Sequence, residues 1–320
     1  MLGTALRQAL ASRRLPFLQL VRSATPSAVS KTQSIGPAVI QPGELCAAPA
    51  NRPRAVGEAL PAQFPWDPAL TPPVDPLALE GFTAAIHLSG ANLAARRWTP
   101  AYKREMIQSR VQSTHALATT LAGLRHPPQM LLVASATGIY GNRGPELLDE
   151  TSLPGSGFVA DLCRQWEAAS QPAVDAGIRV LHLRFGVVLG PGGALARLLP
   201  IFRLGLGGQL GNGRQFMSWI SLHDALAAIF FLLDAPPITG PFNFTAPNPV
   251  TNAQFTRALA AQLHRPALLT VPAFALRLAL GEMASEVLLS GARAYPARLA
   301  AAGFHFTHAS LVHALPAALE

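Results

Sequence analysis

The chain has 320 residues, half of them hydrophobic and only 13% charged. That balance excludes a disordered polymer and allows one large α/β domain with a smaller appendage. The formal charge of +8 invites a nucleic-acid reading, but the basic residues are almost all scattered arginines, with Lys31 and Lys103 the only lysines and no aromatic ladder beside them, so no nucleic-acid partner is expected. A partner carrying several phosphates favours the same basic surface. No membrane is expected: the apolar stretch 225–233 is too short to span one, and 268–280 is broken by Pro272 and Arg277.

In chain order, residues 2–12 carry Leu6, Ala9 and Leu10 at helical spacing, and 17–21 is an apolar run ending at Arg22 that suits a buried strand. The Pro-, Ala- and Ser-rich stretch 23–79 gives weak signals, with one strand near 38–40. Residues 83–88 read as a strand, 89–100 as a loop, and 100–124 as a helix with Met106, Ile107, Val111, Leu117 and Leu121 on one stripe. A buried strand at 130–134 runs into a Gly-rich turn at 135–144. A helix over 158–173, a strand at 179–183 and a short strand at 242–244 follow. Thr251 and Gln254 form a capping-box pattern opening a helix with Phe255, Leu259 and Leu263 on one face. Beyond Pro266 the chain reads as helical to about Leu299. Strands alternating with helices imply a doubly wound parallel α/β sheet, with the last fifty or so residues capping its substrate side.

In such sheets ligands bind beyond the carboxyl ends of the strands, so the loops after each strand carry the chemistry. Arg22 stands where an adenosine ribose would lie; there a cation pairs with a 2′-phosphate, while the bland alternative is a solvated strand-end arginine. Leu88, Ser89, Gly90, Ala91 and Asn92 end the next strand with small residues that let a dinucleotide approach the backbone. Arg96, Arg97 and Trp98 either pack or face substrate. Ser135, Thr137 and Tyr140 deliver two hydroxyls and a phenol to the sheet edge, to bind a carbonyl or simply to cap the turn. Arg184, Gly186 and Val187 would lie beside a nicotinamide, or form a plain turn with Gly190 and Gly193. Residues 214–224 place an Arg, a Trp and an Asp before a helix that Asp224 could cap. His305, His308 and His313 form the one histidine cluster, and with no thiolate or suitable carboxylate beside them no metal is expected. Cys46 and Cys163 form no motif and read as reduced thiols of a cytoplasmic protein.

Together the stretches 88–98, 109–114, 135–144, 158–167, 184–193, 205–220 and 245–255 resemble the extended short-chain dehydrogenases, most closely the atypical branch known as epimerase family proteins. Residues 271–304 resemble that branch's small C-terminal domain of unassigned function. The resemblance implies a Rossmann-like domain over 1–248 and a C-terminal, mainly helical domain over 249–320 with its core at about 268–315. It also implies NADP (NAD being the alternative) as cofactor, held by Gly3, Arg22, Leu88, Ser89, Gly90, Ser135, Arg184, Gly186 and Val187. An oxidoreductase or epimerase acting on a small molecule follows, with Ser135, Thr137 and Tyr140 as catalytic candidates.

Two departures stand out. The family opens with a strand and a G-x-x-G-x-x-G turn, whereas this chain begins Met1-Leu2-Gly3, as if at the tail of that turn. The expectation is a start codon assigned too far downstream, with sheet neighbours left unpaired where the strand is lost. The acid-free, Arg-bearing residues 1–40 also have the composition of an organelle transit peptide. Second, the superfamily's Tyr-x-x-x-Lys pair cannot exist here, because four residues beyond Tyr102, Tyr140 and Tyr295 come Met106, Gly144 and Leu299. A non-catalytic dinucleotide-binding protein is therefore the alternative function.

Overall fold

The computed structural model describes residues 1–22, 38–40 and 63–320, and of the side chains of Arg22 and 38–40 nothing is described. Seven strands form the main sheet: β1 (Phe17–Arg22), β2 (Ala38–Ile40), β3 (Gln63–Trp66), β4 (Ala84–His87), β5 (Met130–Ala136), β6 (Arg179–Phe185) and β7 (Gly240–Phe244). Their spatial order is β7-β6-β5-β4-β2-β1-β3. From β4 to β7 all pairs are parallel, as are β1 and β3; β2 runs antiparallel to both of its neighbours. The order matches a doubly wound sheet, with β2 standing in the central place that a first strand takes in such folds.

That placement corrects one expectation. Residues 17–19 of β1 pair with 38–40, and the same three residues pair with 84–86 of β4, so these neighbours are not left open. Backbone amides at a sheet centre have no water to turn to, and even a short strand of opposite direction satisfies them.

Alternation along β5 shows why the sheet is buried on both faces. Leu131 and Val133 join one core with Leu117, Leu121 and Trp166; Leu132 joins the other with Leu6, Leu10, Ala225 and Ile229. Successive side chains of a strand point to opposite faces, so a continuous apolar run serves two helical layers. The first layer is the helix over 100–122, with a π turn at Gln108–Gln112, together with Phe158–Ala168 and Gln171–Asp175. The second is formed by Leu2–Ser12 and Leu222–Asp234.

Several elements differ from the sequence expectation. The helix expected over 158–173 stops at Ala168 and restarts at Gln171, with Pro172 in its first turn, where a missing N–H costs nothing. The strand Gln63–Trp66 lies within a Pro-rich stretch that carries no alternating pattern. The region beyond Pro266 is not one helical run: Leu269–Val271 pairs in parallel with Gly208–Leu210, and Arg293–Ala294 pairs with Leu147–Leu148. The capping box is present as expected, with Thr251 Oγ1 accepting from the Gln254 amide and Gln254 accepting from the Thr251 amide.

C-terminal residues pack near the carboxyl edge of the sheet. Met283, Ala292 and Ala294 pack with Trp98, Tyr102, Tyr140 and Leu148. Lys103 and Glu282 form an ion pair of 2.5 Å, and Arg97 donates to the Leu278 carbonyl. Glu286 accepts from the Val159 amide at 3.2 Å, supplying the Phe158–Ala168 helix with a cap that Gly157 cannot offer.

Candidate functional site

The strand ends β4, β5 and β6 converge at the sheet edge, and behind them lies a buried polar network. Ser135 Oγ donates to Glu167 Oε1 at 2.7 Å. Glu167 in turn receives Arg184 through Nε and Nη2, both at 2.9 Å. Arg184 Nη1 donates to the Tyr140 hydroxyl at 3.0 Å, and that hydroxyl donates to Asn243 Oδ1 at 2.7 Å. The Asn243 amide donates to Glu150, and its side-chain nitrogen donates to the Tyr295 carbonyl. Ser135, Tyr140, Arg184 and Asn243 are all buried. The bidentate pair is strong because two parallel charge-assisted bonds match the guanidinium fork, and neither ion is left uncompensated.

Titration follows from this arrangement. Burial on its own raises Glu167, but hydrogen bonds and charge from Arg184 outweigh it and hold the carboxyl below its ordinary range. Burial pulls Arg184 down, and Glu167 more than reverses this. Burial raises the Tyr140 phenol against the opposing charge of Arg184, so it keeps its proton. Glu150 is raised chiefly by burial, against the amides of Asn243 and Arg298. Cys163 is pushed up to about 12, mainly by burial, which leaves an inert thiol.

The three catalytic candidates are thereby separated. Ser135 is 3% exposed and Tyr140 0%, each spent on a protein partner. Thr137 remains partly exposed, with only a long 3.4 Å contact to the Phe185 carbonyl. Of the three hydroxyls, it is the one free to meet a ligand.

The cofactor candidates fall into distinct places. Gly3 is buried in the first turn of the Leu2–Ser12 helix, whose N-terminus has no side-chain cap. Uncapped amides at a helix start bind anions. Met1 packs against Gly190, Gly192 and Gly193; a Cβ on Gly190 would come within 2.9 Å of Leu222 and 3.3 Å of the Met1 sulfur. The Met1 side chain thus fills the space between the helix start and the glycine loop. Arg22 is the last residue of β1, opposite Trp66 of β3. Ser89 is buried and Leu88 partly so at the end of β4. Gly90 is small for a protein reason, since its missing Cβ would lie 3.0 Å from the Arg110 guanidinium. Gly186 is similar, with 2.5 Å to the Ser218 carbonyl, while the Val187 amide donates to that carbonyl at 2.8 Å. Each nitrogen of the Arg184 guanidinium donates to Glu167 or Tyr140.

Other candidates prove structural. Trp219 is 0% exposed in a core with Phe255 and Leu259, its indole donating to the Asn248 carbonyl, so it forms no pocket wall. Trp98 is buried and donates to the Leu93 carbonyl. Arg96 pairs with Glu105. Asp224 does not cap its helix: Ser221 does, and Asp224 accepts from the Thr307 and His308 amides. Sequence reasoning missed Glu167, Asn243, Glu150 and Arg110. One signal existed for Glu167: an arginine at the end of a buried strand requires a carboxylate, and the helix one layer away offers one beside Trp166.

A doubly wound sheet with an uncapped helix start, a glycine loop and hydroxyls along its carboxyl edge defines a dinucleotide-binding protein of Rossmann type. Residues 74–243 match the NAD dependent epimerase/dehydratase family, and residues 271–318 match DUF1731, a domain of unknown function. The chain belongs to the NAD dependent epimerase/dehydratase family. It is 45% identical over 251 residues to the epimerase family protein Mb2239 of Mycobacterium bovis, covering 78% of this chain and 82% of that one. It is 37% identical over 245 residues to the SDR39U1 homolog, chloroplastic, of Arabidopsis thaliana, covering 76% and 70%. Among solved structures it is similar to human epimerase family protein SDR39U1 (isoform 2) with NADPH. That match has a TM-score of 0.78 and 29% identity, and covers 99% of this chain and 95% of that one. No helix among the described residues is long and apolar enough to cross a membrane.

Proposed function

We propose that this chain binds NADP(H) in preference to NAD(H) and acts as an oxidoreductase or epimerase on a small carbonyl- or hydroxyl-bearing substrate. The division of labour is a dinucleotide-binding domain over 1–248 and a substrate-side domain over 249–320. The observation that carries the reading is Thr137: its partly exposed hydroxyl stands at the end of β5, held over a network in which Ser135 and Tyr140 are already committed. A bound nicotinamide supplies or accepts a hydride. Thr137 orients the substrate oxygen, Gly3 and Ser89 hold the cofactor through backbone and hydroxyl, and Arg22 favours the 2′-phosphate from the end of β1. Ser135, Arg184 and Tyr140 position β5 and β6 rather than carry a proton. The similarity to a human relative solved with NADPH supports the choice of cofactor. A cytoplasmic location belongs to this reading, with an organelle as the alternative in view of the relative named chloroplastic.

The test is calorimetric titration with NADPH and NADH, followed by NADPH consumption against a panel of carbonyl compounds. Tighter NADPH binding that is weakened in Arg22→Ala, with turnover lost in Thr137→Val, supports the reading. Absence of binding to either cofactor abandons it. A second reading is favoured by one observation, the burial of Tyr140 in a chain that has no Tyr-x-x-x-Lys pair. On that reading the protein binds the cofactor without turning it over, and NADPH binding with no consumption on any carbonyl identifies it.

A further inference from the structure

Outside the buried polar network, two neighbouring residues meet a third that the sequence keeps 84 residues away. His223 and Asp224 open the Leu222–Asp234 helix, and His308 lies in the C-terminal segment. One ligand-capable atom from each lies within 4.8 Å of the other two. The imidazole rings stand 5.3 Å apart at 70°. His223 Nδ1 is 3.2 Å from Asp224 Oδ1.

We propose that His223, Asp224 and His308 form a binding site for a borderline divalent transition-metal ion such as Zn2+, which staples the C-terminal segment to the dinucleotide-binding domain. Two imidazoles and a carboxylate are the donor set that such ions accept, with a fourth position left open. Asp224 is 0% exposed, and its ion-pair partner is His223, which is a cation only while protonated. Its Oδ1 accepts from the Thr307 amide at 3.1 Å and its Oδ2 from the His308 amide at 2.9 Å. Oδ2 keeps a further lone pair for a metal, and Oδ1 frees one when His223 turns away from it.

The surrounding groups orient the ligands. His308 Nδ1 is 3.0 Å from Ser221 Oγ, which also accepts from the Asp224 amide. With Nδ1–H donating to Ser221, His308 Nε2 presents its lone pair, the arrangement in which a metal-ligating histidine is held by its other nitrogen. The His223 side chain is 60% exposed and can turn to shorten the 4.8 Å spread toward tetrahedral spacing. The helix start opposes a cation, and the adjacent buried carboxylate offsets that field. Beside the three groups lies a cavity of about 260 Å3, lined by Ser221, Leu222, His308 and Ala314 among others, which gives the open coordination position access to water.

The experiment strips the full chain with a chelator and titrates Zn2+ by calorimetry and Co2+ by visible absorption. The proposal expects one equivalent bound, with d–d bands of a tetrahedral Co2+ site and a rise in melting temperature of roughly 5 °C at saturating Zn2+. His223→Ala and His308→Ala each weaken binding by at least about tenfold, whereas His313→Ala, an exposed residue of the Leu311–Leu319 helix, binds as the parent does. His223→Ala alters an exposed side chain, so its fold persists and its result stands even if His308→Ala is destabilised. No stoichiometric binding, or binding unchanged in His223→Ala and His308→Ala, overturns the site.

Discussion

Two polar clusters in this molecule are built on opposite plans. The network behind the sheet edge is closed: Ser135, Glu167, Arg184, Tyr140 and Asn243 bond to one another and the first, third, fourth and fifth are buried. The cluster at the start of the Leu222–Asp234 helix is open, with His223 more than half exposed and lone pairs unspent. A closed network fixes backbone positions and leaves nothing for a ligand; an open one retains the capacity to bind. On the proposed function this difference separates positioning residues such as Tyr140, spent on Asn243 and Arg184, from a partly exposed hydroxyl such as that of Thr137.

The sharpest way to break the comparison is to open the closed network. Glu167→Ala leaves Arg184 buried without a counter-charge and is expected to lower the unfolding free energy by about 3–5 kcal/mol, read by urea denaturation. Glu167→Leu combined with Arg184→Met is expected to cost less than Glu167→Ala alone, because the uncompensated charge is gone. Thr137→Val, at the partly exposed hydroxyl, is expected on the proposed function to reduce turnover about 100-fold with NADPH affinity and stability nearly unchanged. Equal losses of stability in Thr137→Val and in Glu167→Ala would erase the distinction. Tyr140→Phe removes one acceptor and one donor from the interior, with an expected cost of about 1–3 kcal/mol; an undisturbed stability with abolished turnover would instead return the phenol to catalysis.

The smallest effect is in pH dependence, where two carboxylates act with opposite signs. Glu167 is held below its unfolded value of about 4.3, so its contribution is complete above that pH and is lost as pH falls through its folded value. Glu150 is raised above the same value, so its contribution is complete below about pH 4.3 and is lost as pH rises through its folded value. Denaturation midpoints from pH 3 to 7 should lose the acid-side fall in Glu167→Gln and flatten the higher-pH decline in Glu150→Gln. Identical profiles in both variants would contradict these environments.

Much of the fold was legible in local pattern. The helical stripe at Leu6 and Leu10, the runs forming β4 and β5, and the Thr251–Gln254 box each follow from spacing within one element. Gln63–Trp66 was not legible, because a strand containing Pro65 and a single buried residue has no period to read. The helix break after Ala168 depends on how Ser170 bonds back to the Glu167 carbonyl and across to His182, a tertiary preference that overrides the apolar stripe. For the site, residue types at strand ends were readable, but their exposure was not. Gly90 and Gly186 looked like cofactor-facing glycines, and their missing Cβ atoms meet Arg110 and the Ser218 carbonyl.

By itself the sequence determined the doubly wound architecture, the family and the approximate places of most of the main-sheet strands. Those depend on hydrophobic period, turn residues and motif order, all of which act over a few residues. Only the tertiary structure decided which hydroxyl faces outward, which carboxylate answers Arg184 and which histidine meets Asp224. Glu167 and Arg184 are 17 residues apart, and Asp224 and His308 are 84 apart. No local pattern encodes such pairs; the packing of helix on sheet and of the C-terminal segment on the domain brings them within reach.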